Sequence, residues 1–149
     1  MGILKGYQQL NGSWGQLWWN GELIIEVESF EAKVTANRED VSIANSLDVD
    51  SKITSLKGEG SFKVKKVFTR GINQMLANWN KGNDVRTQLV GLLSDPDTTG
   101  KQKERVIINN VWFNELTLMQ FELGQKLDRE FSFGFTPSDV EFPDTIEKA

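Results

Sequence analysis

The chain has no histidine and no cysteine among its 149 residues. Without cysteine there is no disulfide framework, no thiolate nucleophile and no zinc ribbon. Without histidine the commonest acid–base residue and metal ligand is missing too. Positive charge is also short: 17 Lys and Arg against 21 Asp and Glu leave a net charge of −4. A protein that grips phosphates shows a basic balance instead. Residues 1–10 lack the basic flank and apolar run of a secretory signal. No stretch approaches the roughly 18 apolar residues that would span a bilayer as a helix. These absences lead us to expect a soluble protein made in the cytosol.

Core-forming material is present. Hydrophobic residues make up 38% of the chain and aromatic residues 10%, with five Trp and nine Phe. A chain of this length buries about 70% of its unfolded surface. Global disorder is therefore excluded, and the large rings require a sheet, helix or neighbouring subunit to cover them.

Strand-like runs dominate. Gln16 to Trp19 is a short aromatic strand, followed at once by Asn20-Gly21, the strongest two-residue hairpin signal. The run from Glu22 to Ala36 places Leu23, Ile25 and Val27 on one face, whereas Phe30, Ala32 and Val34 have the opposite parity. A strand switches faces only through an extra residue, so a bulge is expected near Glu28–Ser29. Residues 37–50 show no period and read as an extended loop, unusually long for a compact domain. Ser51 to Phe68 resumes strand character, interrupted by Gly58 and Gly60, which suggest a bend or a close backbone approach. Ile72, Met75, Leu76 and Trp79 form a helical stripe within Thr69–Lys81, with Thr69 as the expected cap and Gly82 as the stop. Val85–Leu93, Arg105–Phe113 and Leu127–Thr136 are further strands, the last with Phe131, Phe133 and Phe135 inward. Residues 1–14 read as an arm and 137–149 as a peripheral acidic tail, around one domain.

Catalytic chemistry has little to work with. The carboxylate pairs Glu26 with Glu28, Asp48 with Asp50 and Asp95 with Asp97 read as solvated faces or turns. Neither Asp pair has the loop of a calcium hand. Gly58-Glu59-Gly60-Ser61 lacks the lysine and strand-to-helix setting of a phosphate loop. Trp14, Trp18 and Trp19 lack a basic groove beside them, so core or interface packing is preferred over base stacking. Lys63, Lys65, Lys66 and Arg70, mixed with Glu59, read as an anti-aggregation face. No enzyme, cofactor or metal is expected.

Long strands with no catalytic residues direct attention to assembly, and an ordered set of segments gives that a name. Trp14-Gly15 to Trp18, Asn20-Gly21 with Ile25 to Val34, and Arg38-Glu39-Asp40 open the series. Gly58 to Lys63, Lys81 to Arg86, Asp95-Pro96-Asp97 and Glu104-Arg105-Val106 continue it, and Leu116-Thr117-Leu118 and Phe131 to Phe135 close it. The chain thereby resembles the tail tube proteins of PBSX-like phages, with relatives in tail-like bacteriocins and the type VI secretion tube.

The resemblance implies a mainly β fold, an antiparallel β-sandwich or half-barrel of two packed sheets with one flanking helix. It implies hexameric rings that stack into a tube, whose lumen passes DNA or other cargo without binding it specifically. Sheath, baseplate and tape-measure proteins are the implied partners. The host cytoplasm during assembly, then the tail of a virion or phage-like particle, is the implied location. Asn37, Arg38, Glu39, Asp40, Asp48 and Asp50, with Trp14 and Trp18, are candidate assembly residues. Glu22, Glu26 and Glu28 are candidate acidic residues of the lumen. A type VI-like secretion tube subunit and a carbohydrate- or host-binding β-sandwich are the alternative readings.

Overall fold

A computed structural model describes residues 5–148. The aromatic hairpin forms as the sequence suggests. Strand β1 (Gly15–Trp19) turns through Asn20 and Gly21, both at positive φ (51° and 83°), into the short β2 (Glu22–Leu23). Positive φ at both turn positions matches the right-handed twist of the flanking strands. A long hairpin follows, made of β3 (Val27–Ser42) and β4 (Val49–Lys65). After helix α1 (Ile72–Asn80) come β5 (Thr87–Leu93), β6 (Glu104–Phe113), β7 (Asp128–Phe135) and β8 (Val140–Asp144).

All the strand pairings are antiparallel, in the order β2-β1-β5-β6-β7-β4-β3. β6 joins two wings: it pairs β5 along one edge, and on the other it takes β8 at Arg105–Ile108 and β7 at Trp112–Phe113. The wings close on each other through rings. Phe62 and Phe131 stack at 4.8 Å, and Trp19 meets Phe113 at 5.2 Å and Phe131 at 5.5 Å. Offset and edge-on contacts of this kind add to the apolar burial. Leu17, Leu89, Ile108 and Val111 complete the seam between the wings.

The face switch in the third strand is real. Val27 pairs Val64 and Ser29 pairs Lys63, leaving Glu28 as the extra residue. Before the bulge, however, the expected inner set is wrong. Leu23 and Ile25 are exposed, while Ile24 and Glu26 are buried, because β2 ends at Leu23 and the chain turns at Ile25–Glu26, where Val27 N donates to Ile24 O. A second bulge lies in β6. Thr87 pairs Val111 and Leu89 pairs Ile108, and Asn110 takes a φ of 54°. That insertion puts Ile108, Val111 and Phe113 on one core face, a grouping strict alternation does not produce.

Three boundaries differ from the sequence reading. Residues 37–50 are largely paired: Asn37 to Ser42 end β3, Val49 and Asp50 open β4, and only the tip at 43–48 is loop. Polar residues on both faces hid this ribbon, since neither face alternates cleanly. The tail from Pro137 forms a short turn and then β8, paired to β6. The helix starts at Ile72, capped by Gly71 in the left-handed conformation, so Thr69 is not its cap. Its end matches expectation. Gly82 at φ 81° donates to Trp79 O and Asn83 donates to Asn78 O, which satisfies the last carbonyls. Of the proposed arm at 1–14, residues 1–4 lie outside the described residues, and the rest holds two single turns.

Gly58 and Gly60 owe their identity to Phe135 and Phe133. A Cβ on Gly60 would lie 2.3 Å from Glu31 O and 2.5 Å from the Phe133 ring. Backbone cannot yield as a flexible side-chain end can. Gly60→Ala is expected to cost about 1–3 kcal/mol, the range for overpacking. Chemical denaturation of the variant checks this, and an unchanged midpoint would refute the close approach.

Candidate assembly surfaces

The β3–β4 hairpin outruns the sheet that supports it. β7 covers β4 only from Gly58 to Lys65. From Gly58 out to Val49 the ribbon is two strands wide and extends about 30 Å, at roughly 3.3 Å per residue. Its faces are unequal. Opposed pairs share a face, so Phe30/Phe62, Ala32/Gly60, Val34/Gly58 and Ala36/Leu56 form one row. Thr54 is the extra residue at the next register shift, and the row continues as Arg38/Ile53, Asp40/Ser51 and Ser42/Val49. The core face thus runs on beyond the core. Val34, Leu56, Ile53 and Val49 remain exposed along it, and Leu47 at the tip is fully exposed. The other face carries Lys33/Glu59, Thr35/Lys57, Asn37/Ser55 and Glu39/Lys52, with Val41/Asp50 next to the tip.

The candidate residues divide accordingly. Asn37, Arg38, Glu39, Asp40 and Asp50 lie on the ribbon and Asp48 at its tip, all exposed. Asn37 Nδ2 donates to Ser55 Oγ at 2.8 Å and Thr54 Oγ1 donates to Asn37 O, fixing the shifted register. Trp14 is half exposed in the turn before β1. Its carbonyl accepts from Ser94 N, next to Asp95, whose buried carboxylate accepts from Asn11 N and Asp97 N, both at 2.9 Å. Trp18 lies on the outer face of β1 opposite Val90, with Ile107 next in the row. Trp19 is on the inner face, in the ring cluster. The three tryptophans therefore form no shared platform.

Glu22 and Glu26 meet on Arg70, whereas Glu28 lies apart at the bulge. The Glu26 side chain is 4% exposed and clamped by Arg70. Arg70 Nε donates to Glu26 Oε1, Nη2 to Oε2 at 2.5 Å, and Nη1 to Glu22 Oε1 at 2.7 Å. Its guanidinium also lies 4.9 Å from the Phe68 ring centre. Glu26 is structural and is withdrawn from the lumen set, because a buried carboxylate needs its cation more than it needs water. Glu28, at the bulge, lines a cleft of about 630 Å³ between β1 and the start of β3, with Glu104 and Phe30. The whole outer edge of β3 is free of strand partners within the described residues.

These surfaces suit self-association, and relatives give them a family. A family described as phage tail tube protein matches residues 3–144. The chain belongs to that family. The "Phage-like element PBSX protein XkdM" of Bacillus subtilis (strain 168) is 28% identical over 138 residues, 92% of this chain and 93% of the relative. "Uncharacterized protein YqbM" from the same strain matches at the same identity and coverage. Solved structures show the same fold. The tube-terminating cap of the anti-feeding prophage has a TM-score of 0.68 at 10% identity, covering 97% of this chain and 95% of that one. A sheath–tube complex of the extracellular contractile injection system PVC has a TM-score of 0.64 at 9% identity, covering 91% and 92%. Tail tube proteins are structural parts, in keeping with a chain whose conspicuous surfaces are edges and ribbons. Two features escape sequence reading: the Arg70–Glu26 clamp, joining positions 44 apart, and an exposed apolar segment before β7.

Hydrogen bonds from Arg70 hold the Glu26 carboxyl below the usual glutamate range, against the opposing effect of burial. The unfolded chain therefore takes up this proton first as pH falls. The stabilisation is complete above the ordinary glutamate value and is lost on acidification through the folded value. Glu26→Gln is expected to cost about 3–5 kcal/mol at pH 7 by leaving Arg70 with the exposed Glu22 as its one remaining carboxylate partner among the described residues. Urea denaturation across pH 3–7 checks both the loss and the flattening of the acid limb in the variant.

Proposed function

We propose that this chain is the repeating subunit of the inner tube of a phage or phage-like contractile tail. Copies close into hexameric rings, the rings stack, and the lumen passes DNA or other cargo without specific binding. The ribbon carries the reading: an isolated two-stranded hairpin is marginal in water, and this one keeps an apolar row uncovered beyond its own core. A neighbouring copy supplies the cover. The free edge of β3 gives adjacent subunits a strand to pair with, and ring closure removes that edge as an aggregation hazard. A sheath around the tube, a baseplate below it and a tape-measure protein within it are the partners proposed. The sheath–tube complex among the solved relatives supports the first, and a structural neighbour from the anti-feeding prophage baseplate bears on the second. Assembly takes place in the bacterial cytoplasm, and the product resides in the tail of the particle. A net charge of −4 keeps a polyanion from adhering.

Electron microscopy of the concentrated protein is expected to show six-fold rings and hollow tubes; a persistent monomer would overturn the reading. The ribbon has its own test. Replacing residues 37–55 by Asn-Gly joins Ala36 to its cross-strand partner Leu56. The shortened chain is expected to fold with an unchanged core and to stop before stacking. Tubes of ordinary length from this variant would remove the ribbon from the assembly role.

A further inference from the structure

The end of the sheet opposite the ribbon carries an unpartnered surface of its own. Between β6 and β7 the chain runs from Asn114 to Leu127 without regular structure. The segment is tied down at its ends: Leu116 packs on the core, Asn114 N donates to Ser132 O, and Leu127 O accepts from Lys66 N. Between these ties it turns outward. Met119, Phe121 and Leu123 are 76%, 69% and 91% exposed. Among the described residues, no backbone N–H from Glu115 to Gly124 donates to another backbone group. Water can satisfy those groups, but it cannot satisfy three large apolar side chains in a row.

Register places this strap. β4 runs from the ribbon tip at Val49 to Lys65, where it pairs Asp128, the first residue of β7. The strap leads directly into Asp128, so it lies at the far end of the sheet from the tip. Charge differs between the ends as well. Residues 38–52 hold Glu39, Asp40, Asp48 and Asp50 against Arg38 and Lys52. At the strap end Lys63 and Lys65 oppose Glu130 and Asp128 across the strands, and Lys66, Lys126 and Arg129 then stand against the strap's Glu115 and Glu122, one positive charge in excess. Arg129 is 7% exposed and donates to Thr69 O, and no carboxylate of the described residues pairs with it. Burial and the nearby Arg129 both push the Lys66 ammonium below its usual value, as expected for cations lacking a counter-charge.

We propose that the apolar row and acidic tip of the ribbon of one copy dock on the strap and the Lys66–Arg129 corner of a second copy. Resting on the tube reading, this names the surface that receives the ribbon. The two halves of the contact differ and lie at opposite ends of the subunit. Such a contact repeats head to tail and does not close on a pair, so it generates an axial stack.

The absence of native cysteine makes the test direct. Chains carrying Ile43→Cys or Leu47→Cys are mixed with differently tagged chains carrying Met119→Cys or Leu123→Cys, then treated with a short bis-maleimide. Crosslinks between the two differently tagged chains are expected in at least one of the four mixtures. A second variant, Phe121→Ser with Leu123→Ser, alters only exposed side chains. It is expected to keep the thermal midpoint and circular dichroism of the parent while losing stacked tubes. Tubes without a tip-to-strap crosslink in any mixture, or normal tubes from the double variant, overturn the docking. If the parent forms no tubes but the crosslink appears, the tube reading fails and the docking stands. If neither appears, both fail.

Discussion

The two wings of this sheet hold together because rings from four strands interleave. Trp19 of β1, Phe62 of β4, Phe113 of β6 and Phe131 of β7 are far apart in sequence and within about 6 Å ring to ring. Remove that contact and the wings have only β6 in common. With it, the sheet is bent enough for Phe30 of β3 to reach over Gly91 of β5, yet a cleft stays open between β1 and β3. The Arg70–Glu26 clamp holds the residues leading into α1 against the link that begins β3. An unclosed barrel with a locked link is a stable unit that still offers edges.

The same packing dictates what the long hairpin presents. Phe62 must face Phe131, so Phe30 faces inward opposite it, and the parity of every later pair follows. The row therefore continues off the end of β7 by geometry, and Val34, Leu56, Ile53 and Val49 keep it partly apolar between Arg38, Asp40 and Ser42. Whatever docks there meets a surface already aligned with the subunit's own core.

Much of this was legible in the chain. Asn20-Gly21, the Ile72–Trp79 stripe, Gly82 and the Phe131–Phe135 alternation act through neighbours a few residues away, so the sequence carries them openly. The bulge at Glu28 showed itself as a parity conflict. Other features depend on contacts that local patterning does not encode. Ile24 is buried in one cluster with Ile72 and Met75 of α1, Glu26 is held by Arg70, and the tail gains β8 because β6 has room on one edge. Residues 37–50 looked structureless because a ribbon in water on both sides has no single face to alternate. Parity groups Glu22, Glu26 and Glu28, but the turn at Ile25–Glu26 and the bulge at Glu28 bring the first two onto Arg70 and leave the third apart. Met119, Phe121 and Leu123 lie in a segment without regular structure, and nothing local says that they stay uncovered.

The ribbon also bears on how growth begins. Its pairing beyond Gly58 rests on one ladder of hydrogen bonds with water on either side, which puts it low on the scale of local stability. In the proposed stack, a first encounter between two free subunits must order the ribbon of one and the strap of the other. Addition to an existing layer finds the receiving surface already fixed, and only the incoming chain loses freedom. If the ribbon docks on the strap as proposed, that asymmetry gives slow initiation followed by rapid elongation.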